Sequence, residues 1–519
     1  MNIKSIGILG LLCALCAFMT VMTADPWYDI FHGTFLQPNN IENLLRRTSM
    51  YGLLGIGVAF VIITSGIDLS IGSVVCLAGC LLAMFLHVDY RAFDSRDVVQ
   101  LIAAEQTIVV SEDSASFVVG DRIRLSGSRR ARNSLLSVTN VESVKLDDGS
   151  GSAAGAASLI TVEGDLSRDD DSGQIAKVYP IAEFRQGEGQ RLAQIVLQGA
   201  LPDLEIRDQV TLVHPKQGQK QIEIAGVETS SDRTTLTLQR DLGGDFSNDW
   251  LVIPQERKQR MSVPLALLSV LAIAGLLGLV HGLLVTRVRL QPFVVTLCGL
   301  LIYRGASRWL VNDQPVGFAN EFTQNLSQLG SGKWVLFNWD NAGRSETFGI
   351  PYPLFILVAV AIVAAIFLNM TIWGRYLLAL GRNEEAARYS GINTSRITMI
   401  AYVICTMAAA VGGMLFALDS NSVSPSSFGN FFELYAIAAA VLGGCSLRGG
   451  EGTILGVIVG TAVMQILNNL ILLMKISDEL EFAIIGAVIL IGVTADELVR
   501  QMAAKRRAIQ KARQRVSGG

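Results

Sequence analysis

The chain has 519 residues, half of them hydrophobic and 17% charged, with a net charge of −3 and a mean hydropathy of +0.43. That average conceals two materials: residues 88–260 hold 27 of the 45 acidic and 20 of the 42 basic residues, leaving the remainder poor in charge. Such a division excludes a uniformly soluble chain, lacks the basic surplus of a nucleic-acid binder, and reads as an integral membrane protein with one water-soluble insertion.

Apolar runs near the roughly 20 residues needed to cross a hydrocarbon core recur along the chain. They lie near 5–23, 49–65, 69–87, 263–285, 292–311, 352–370, 397–418, 431–447, 453–474 and 480–498. The second and third are short and Gly-interrupted, the pattern of broken or re-entrant helices. The expected fold is therefore an α-helical polytopic membrane protein of about ten transmembrane helices, with a β-rich soluble insertion between the third and fourth spans. The N-terminal segment is read as an uncleaved span in preference to a signal peptide. If the spans alternate, Lys4, Arg287, Arg289, Arg375, Arg382, Arg388, Arg396, Arg448 and the basic tail 501–519 share one side, which is then the cytoplasm. Arg46, Arg47, Arg304 and Arg308 depart from this pattern.

Between the two membrane parts, 1–87 and 261–500, residues 88–260 are expected outside the cytoplasmic membrane. Short β-branched runs alternate there with Gly, Asp and Ser turns. An internal echo is visible: "GDRIRLSG", "VTNVES", "SLITVEGDL" and "AKVYP" parallel "RDQVTLVHP", "IAGVETS", "TTLTLQRDL" and "WLVIP". Two tandem small β domains, about 100–181 and 190–255, would explain it, and one larger β domain is the alternative.

Most motifs suggestive of chemistry dissolve on inspection. GSGK at 330–333 has Ser327 where a P-loop needs its first glycine and Trp334 where it needs Ser or Thr. The four histidines have no partners at ligand spacing. Cys13 and Cys16 lack two further zinc ligands and read as core thiols. All seven cysteines fall in apolar segments, so no disulfide framework holds the insertion. No metal site, cofactor or catalytic residue is expected.

Two stretches keep their interest. "TSGIDLSIGS" places Asp68 with Ser65, Ser70 and Ser73 between two apolar runs. A carboxylate at a helix centre in lipid costs roughly 2.5–3.5 kcal/mol on insertion scales. Asp68 or Ser70 at the start of the third span would instead serve as an N-cap, a structural hinge near a gate. In "ALGRNEEAARYSGIN", Asn383 is an N-cap for a helix of about two turns with Glu384 and Glu385 in front, Arg388 behind and Gly391 as the stop. Ala386 and Ala387 leave room for another surface. "VLGGCSLRGGEGT" reads either as a turn with exposed backbone or as close packing through small residues. Asn468 and Asn469 either bridge helices or line a polar path.

Together, "GIDLSIGS", "ALGRNEEAARYSGIN", "ELYAIAAAVLGGCSLRGGEGTILGVIVG" and "ILNNLILL" resemble the ribose/xylose/galactose-type permeases of ABC importers, over residues 1–87 and 261–500. The insertion has no counterpart in typical members. The resemblance implies a transport subunit without its own ATPase, for a monosaccharide such as ribose, xylose or galactose, in the bacterial inner membrane. It implies four kinds of partner: a cytoplasmic ATP-binding cassette subunit, an extracytoplasmic sugar-binding protein, a second permease subunit, and the lipid bilayer. It maps a coupling helix onto 383–392, with Asn383, Glu384, Glu385, Ala386, Ala387, Ser390 and Gly391 as candidate ATPase contacts. Ser65, Asp68, Ser70, Ser73, Asn468 and Asn469 are the candidates for the pathway or gate. A membrane-anchored sensor or adhesion protein working through the β insertion is the alternative.

Overall fold

The computed structural model describes, apart from isolated positions, residues 3–24, 33–111, 117–126, 135–145, 156–164, 173–185, 192–199, 208–214, 218–239, 250–318, 325–341 and 344–477. The chain divides into two compact units, one formed by 1–87 with 261–519 and the other by 88–260. The first unit begins with α1 (Ile3–Met22), α2 (Pro38–Ile63) and α3 (Ile71–Phe85). Pro38 suits the first position of α2, where a missing N–H costs nothing. From Ser49 to Ile63 every residue of α2 is buried, so this helix runs through the centre of its unit.

Among the described residues of the second unit, every strand pairs antiparallel: β1 (Val88–Ala92), β2 (Ser95–Ile102), β3 (Thr107–Ser111), β4 (Arg122–Ser126), β5 (Leu135–Lys145), β6 (Ala156–Glu163), β7 (Gln174–Arg185), β8 (Gln194–Gln198), β9 (Gln209–His214), β10 (Gly218–Thr229), β11 (Arg233–Leu238) and β12 (Leu251–Gln259). The pairings close two rings. One runs β7-β2-β3-β6-β5-β4 and back to β7; the other runs β7-β8-β11-β10-β9-β12 and back to β7. With the six strands of each ring numbered along the chain, both have the order 1-2-5-4-3-6. β7 is therefore the last strand of the first barrel and the first strand of the second. Its residues 174–178 pair with β4, and Ile181–Arg185 pair with β8. Each ring has its own core, around Ile108, Ile123 and Ile160 in one and Ile195, Leu212 and Trp250 in the other. The sequence echo follows this order, and equivalent aspartates make equivalent turns. Asp121 accepts from the Val118 N–H (2.9 Å) before β4, and Asp208 from the Glu205 N–H (2.8 Å) before β9. Closure removes the exposed strand edges on which sheets aggregate. Near the shared strand, burial and a 2.6 Å hydrogen bond to Asp94 push the Tyr179 hydroxyl above its ordinary range. Val88 of β1 stands opposite Gln259 of β12, so the unit begins and ends on one two-stranded ribbon.

The first unit resumes with α4 (Val263–Thr286) and α5 (Pro292–Leu310), β13 (Val316–Gly317), α6 (Gln328–Ser331), and the hairpin β14 (Lys333–Asn341) and β15 (Arg344–Pro351). It continues through α7 (Tyr352–Met370), α8 (Ile372–Arg382), α9 (Glu384–Tyr389), α10 (Thr394–Ser420), β16 (Ser422–Val423), α11 (Phe432–Leu442) and α12 (Ile454–Leu473). α10 packs against α2, α3 and α4, and α2 in turn against α7, α11 and α12. Small residues permit the tightest approach: a Cβ on Gly460 of α12 would collide with the Ala439 carbonyl of α11. The outer helices α4, α5 and α7 are mostly unburied, with Leu268, Leu301 and Val363 each more than 60% exposed. Such surfaces suit a bilayer and would be costly in water.

The ten-span expectation is overturned. Among the described residues, six helices are long and apolar enough to cross a membrane: α2, α4, α5, α7, α10 and α12. Three shorter apolar helices accompany them: Gly7–Met22 within α1, α3 and α11. Hence, among the described residues, α2 is the one candidate span before the β unit, although α1 itself runs for 20 residues, and the β unit follows a 15-residue helix rather than a third full span. Hydropathy runs register apolar content but not where backbone geometry stops. Thus α2 starts well before its apolar run, at Pro38, and Gly443 ends α11 after 11 residues. The segment 480–498 lies outside the described residues except at isolated positions.

The lysine of GSGK is structural. Lys333 Nζ donates to both carboxylate oxygens of buried Glu42 (2.9 Å each) and to the Thr347 carbonyl, while Glu42 also accepts from the Gly349 N–H (2.7 Å). The β14–β15 hairpin is thereby pinned to the start of α2. Lys333→Met strands a buried carboxylate and is expected to cost about 2–3 kcal/mol, just under the range for a fully buried pair because the lysine keeps some solvent contact. Thermal unfolding of the full-length protein in detergent measures it, with Lys333→Arg as the milder comparison.

Candidate functional site

The chain between α8 and α10 is built by local capping. Thr371 Oγ1 accepts from the Gly374 N–H at the start of α8. At Asn383 the backbone leaves helical geometry, and its Oδ1 accepts from the Ala386 N–H (3.0 Å), opening α9. Glu384 and Glu385 then fall in the first turn and Arg388 in the last, matching the helix dipole. Gly391, at φ +81°, closes the helix, with its N–H on the Arg388 carbonyl and the Ile392 N–H on that of Ala387. Asn393 repeats the device, accepting from the Arg396 N–H to start α10. Glu384, Glu385, Ala386, Arg388, Tyr389 and Ser390 are exposed, whereas Ala387 is turned inward at 4% exposure. Of the two alanines, only Ala386 is available to another surface.

The break between α2 and α3 lies against this region. Ser65, at φ +65°, donates through Oγ to the Arg448 carbonyl (2.9 Å) and the Gly381 carbonyl (3.3 Å). The Gly450 N–H donates to the Ile63 carbonyl (2.9 Å). Three chain segments thus meet: the end of α2, the end of α8 two residues before Asn383, and the glycine turn 443–450. That turn combines both sequence readings, with positive φ at Gly449 and Gly450 and close helix packing at Gly443.

Farther in, Asp68 is fully buried, and its Oδ1 accepts from both the N–H (2.9 Å) and the Oγ of Ser70 (2.7 Å). This is an Asx turn rather than a cap on the first turn of α3; Ser70 occupies the N-cap position and caps nothing. Ser73 Oγ donates to the Leu300 carbonyl of α5, and Thr296 Oγ1 to the Ile67 carbonyl. Sequence reasoning missed the company Asp68 keeps. His281 of α4 shares a 2.8 Å hydrogen bond with the Tyr303 hydroxyl of α5, and Tyr402 of α10 stands edge-on to His281. Among the described residues, Asp68 Oδ2, His281 Nδ1 and the Tyr402 hydroxyl are buried without a hydrogen-bond partner. These residues come from four distant segments, and nothing in local sequence links them.

Asn469 belongs elsewhere. Its side-chain amide exchanges hydrogen bonds with that of Asn40 (2.7 and 3.2 Å), joining α12 to the first turn of α2. α2 has 26 residues, about 39 Å at helical rise, so this pair is far from Ser65 at the other end. Asn468 leaves Oδ1 unpaired. The six pathway candidates therefore do not form one site. Arg304, an exception to the charge pattern, is spent on the Pro425 and Phe428 carbonyls (3.1 and 2.6 Å). A cavity of about 630 Å³ opens beside α9, walled by Thr64, Thr286, Arg289, Glu385, Thr398 and Tyr402 among others.

A family model described as the permease component of a branched-chain amino acid transport system matches residues 246–493. The ribose import permease of Escherichia coli strain K12 is 37% identical over 231 residues, 44% of this chain and 68% of that protein. The chain belongs to the family of ABC sugar-import permeases. The permease is also 31% identical over 242 residues to the galactose/methyl galactoside import permease of Haemophilus influenzae, covering 46% of this chain and 68% of that one. Its identity to the fructose import permease of Rhizobium meliloti is 31% over 240 residues, 46% and 64% of the two chains. No solved structure matches the permease. Within it, Asn383→Ala removes the cap of α9, worth about 1 kcal/mol, and should speed amide exchange across 384–389 by about fivefold. Asn383→Asp should restore protection, as hydrogen–deuterium exchange of the full-length protein would reveal.

Proposed function

We propose that this permease carries a neutral monosaccharide across the bacterial inner membrane, driven by a separate ATP-hydrolysing subunit that docks on α9. The observation carrying this reading is the family match over 246–493, which encloses α9 and the spans on both sides of it. The relatives named above import ribose, galactose and fructose. The cargo of these relatives therefore favours a sugar over the amino acid in the family model's description. Asn383 and Gly391 frame α9, Glu384, Glu385, Ala386 and Ser390 meet the ATPase groove, and Ala387 seats the helix on the membrane domain. Ser65 passes its displacement to α2 through the Gly381 carbonyl, so closure of the ATPase pair moves packed helices as bodies rather than doing chemistry.

In this scheme α9 and the tail 501–519 face the cytoplasm. The unit 88–260 lies on the outer side, where a sugar-binding protein delivers its cargo, and a second permease subunit completes the path. Asp68, Ser70 and Ser73 hold the hinge between α2 and α3, and Asn468 and Asn469 act between helices.

Reconstituted in vesicles with an ATP-binding subunit and a sugar-binding protein, the permease should take up at least one of D-ribose, D-galactose, D-fructose and L-arabinose with ATP. Vesicles holding the permease alone should take up none, and ATP-driven uptake by those vesicles would sink the reading. Asp68→Asn keeps an acceptor for Ser70 and should leave assembly intact with transport within several-fold of normal. Asp68→Ala should reduce the yield of folded protein. Abolished transport in an assembled Asp68→Asn protein would show that the carboxylate does more than hold a hinge.

A further inference from the structure

The cavity beside α9 is of a size that suits a small-molecule ligand, at about 630 Å³. Seven of its 17 lining residues carry hydroxyls. Its charged residues are two carboxylates, Glu384 and Glu385, and two guanidinium groups, Arg289 and Arg388, so the lining has no net charge. That balance disfavours a phosphate or nucleotide, which calls for a cationic lining. The hydroxyls of Thr64 and Thr286 donate to carbonyls of their own helices, Val61 (2.8 Å) and Gly282 (2.7 Å), and so keep lone pairs for an incoming donor. Tyr402 is among the lining residues and is fully buried, its hydroxyl without a hydrogen-bond partner among the described residues. A buried hydroxyl left unmatched is costly unless something else matches it. Gly66 lies beside it: a Cβ there would come within 3.1 Å of that hydroxyl, so a side chain at this position would crowd it.

We propose that this cavity binds a neutral polyhydroxylated solute on the α9 side of the permease, with the Tyr402 hydroxyl as a buried hydrogen-bonding group in its lining. The proposal rests on the reading as a sugar permease and extends it. The walls belong both to the helix ends around Thr64, Thr286 and Thr398 and to α8 and α9, through Leu380, Glu384, Glu385 and Arg388. A solute lodged there senses the position of α9, and by linkage its occupancy biases that position in return. The released sugar thereby acts back on the element through which ATP hydrolysis drives transport.

Equilibrium dialysis of the purified full-length permease against D-ribose, D-galactose, D-fructose and L-arabinose tests this, with inorganic phosphate as competitor. One sugar should bind in the millimolar range, and phosphate should not displace it. Tyr402→Phe should weaken binding by roughly tenfold without lowering thermal stability, because it removes an unmatched group. Thr398→Val should weaken binding several-fold, and it carries the test if the tyrosine variant fails to fold. Unchanged affinity in the folded variants, or displacement by phosphate, overturns the site. A permease that transports one of the sugars with its partners but binds none alone overturns the site and leaves the transport reading standing. Failure of the complete system to transport any of the four overturns both.

Discussion

Backbone that leaves helical geometry inside an apolar assembly must find a partner for every group it frees, because no water is at hand to supply one. Between α2 and α3, where Ser65 is exposed but Asp68 and Ser70 are buried, several of the seven residues meet this constraint with borrowed groups. The N–H groups of Thr64, Ser65 and Gly66 turn back onto the end of α2. The Ile63 carbonyl takes the Gly450 N–H, the Ile67 carbonyl takes the Thr296 hydroxyl, and the Ser70 N–H goes to Asp68. Each loan draws in another part of the chain, so α5, α8 and the glycine turn are located by one break. The acidic residue that looked anomalous in an apolar run is part of that settlement.

The same logic separates what was legible in the sequence from what was not. Helix α9 could be read because its determinants are local: an Asn side chain reaches three residues ahead, and Gly391 adopts a conformation that other residues resist. Strands in 88–260 were visible through their alternation, and their echo through repeated Asp turns. That one strand serves both barrels was not visible, since nothing in Gln174–Arg185 marks the point where pairing changes from β4 to β8. Span counts failed for a related reason. Hydropathy averages over residues, while the lengths of α3 and α11 are set by where Gly, Asp and Ser let the backbone turn. The pairing of His281 with Tyr303, and their nearness to Asp68 and Tyr402, joins residues more than 200 positions apart at the extremes. No periodicity encodes such an association.

Polar groups buried among apolar helices sort into two kinds. Glu42, Arg304, Ser73 and the Asn40–Asn469 pair bond across elements and act as pins, each fixing one element against another. Asp68, His281 and Tyr402 each retain an unengaged atom. A network that is complete rigidifies a core, whereas each open valence left in one carries a desolvation cost. Glu42 and the Asn40–Asn469 pair sit at one end of α2, and Asp68 lies beyond the other.

The ribbon formed by β1 and β12 has a consequence for how such a chain could arise. Val88 faces Gln259 across a single pair of strands, although most of the β unit separates them in sequence. For the helices before and after it, the whole excursion is geometrically a hairpin, and the entropy of closing so long a loop is offset within the barrels rather than in the membrane. A piece of DNA spliced in at one point would suffice to add it, and its loss would require only a short turn in its place. The chain could acquire a large new surface in one genetic event.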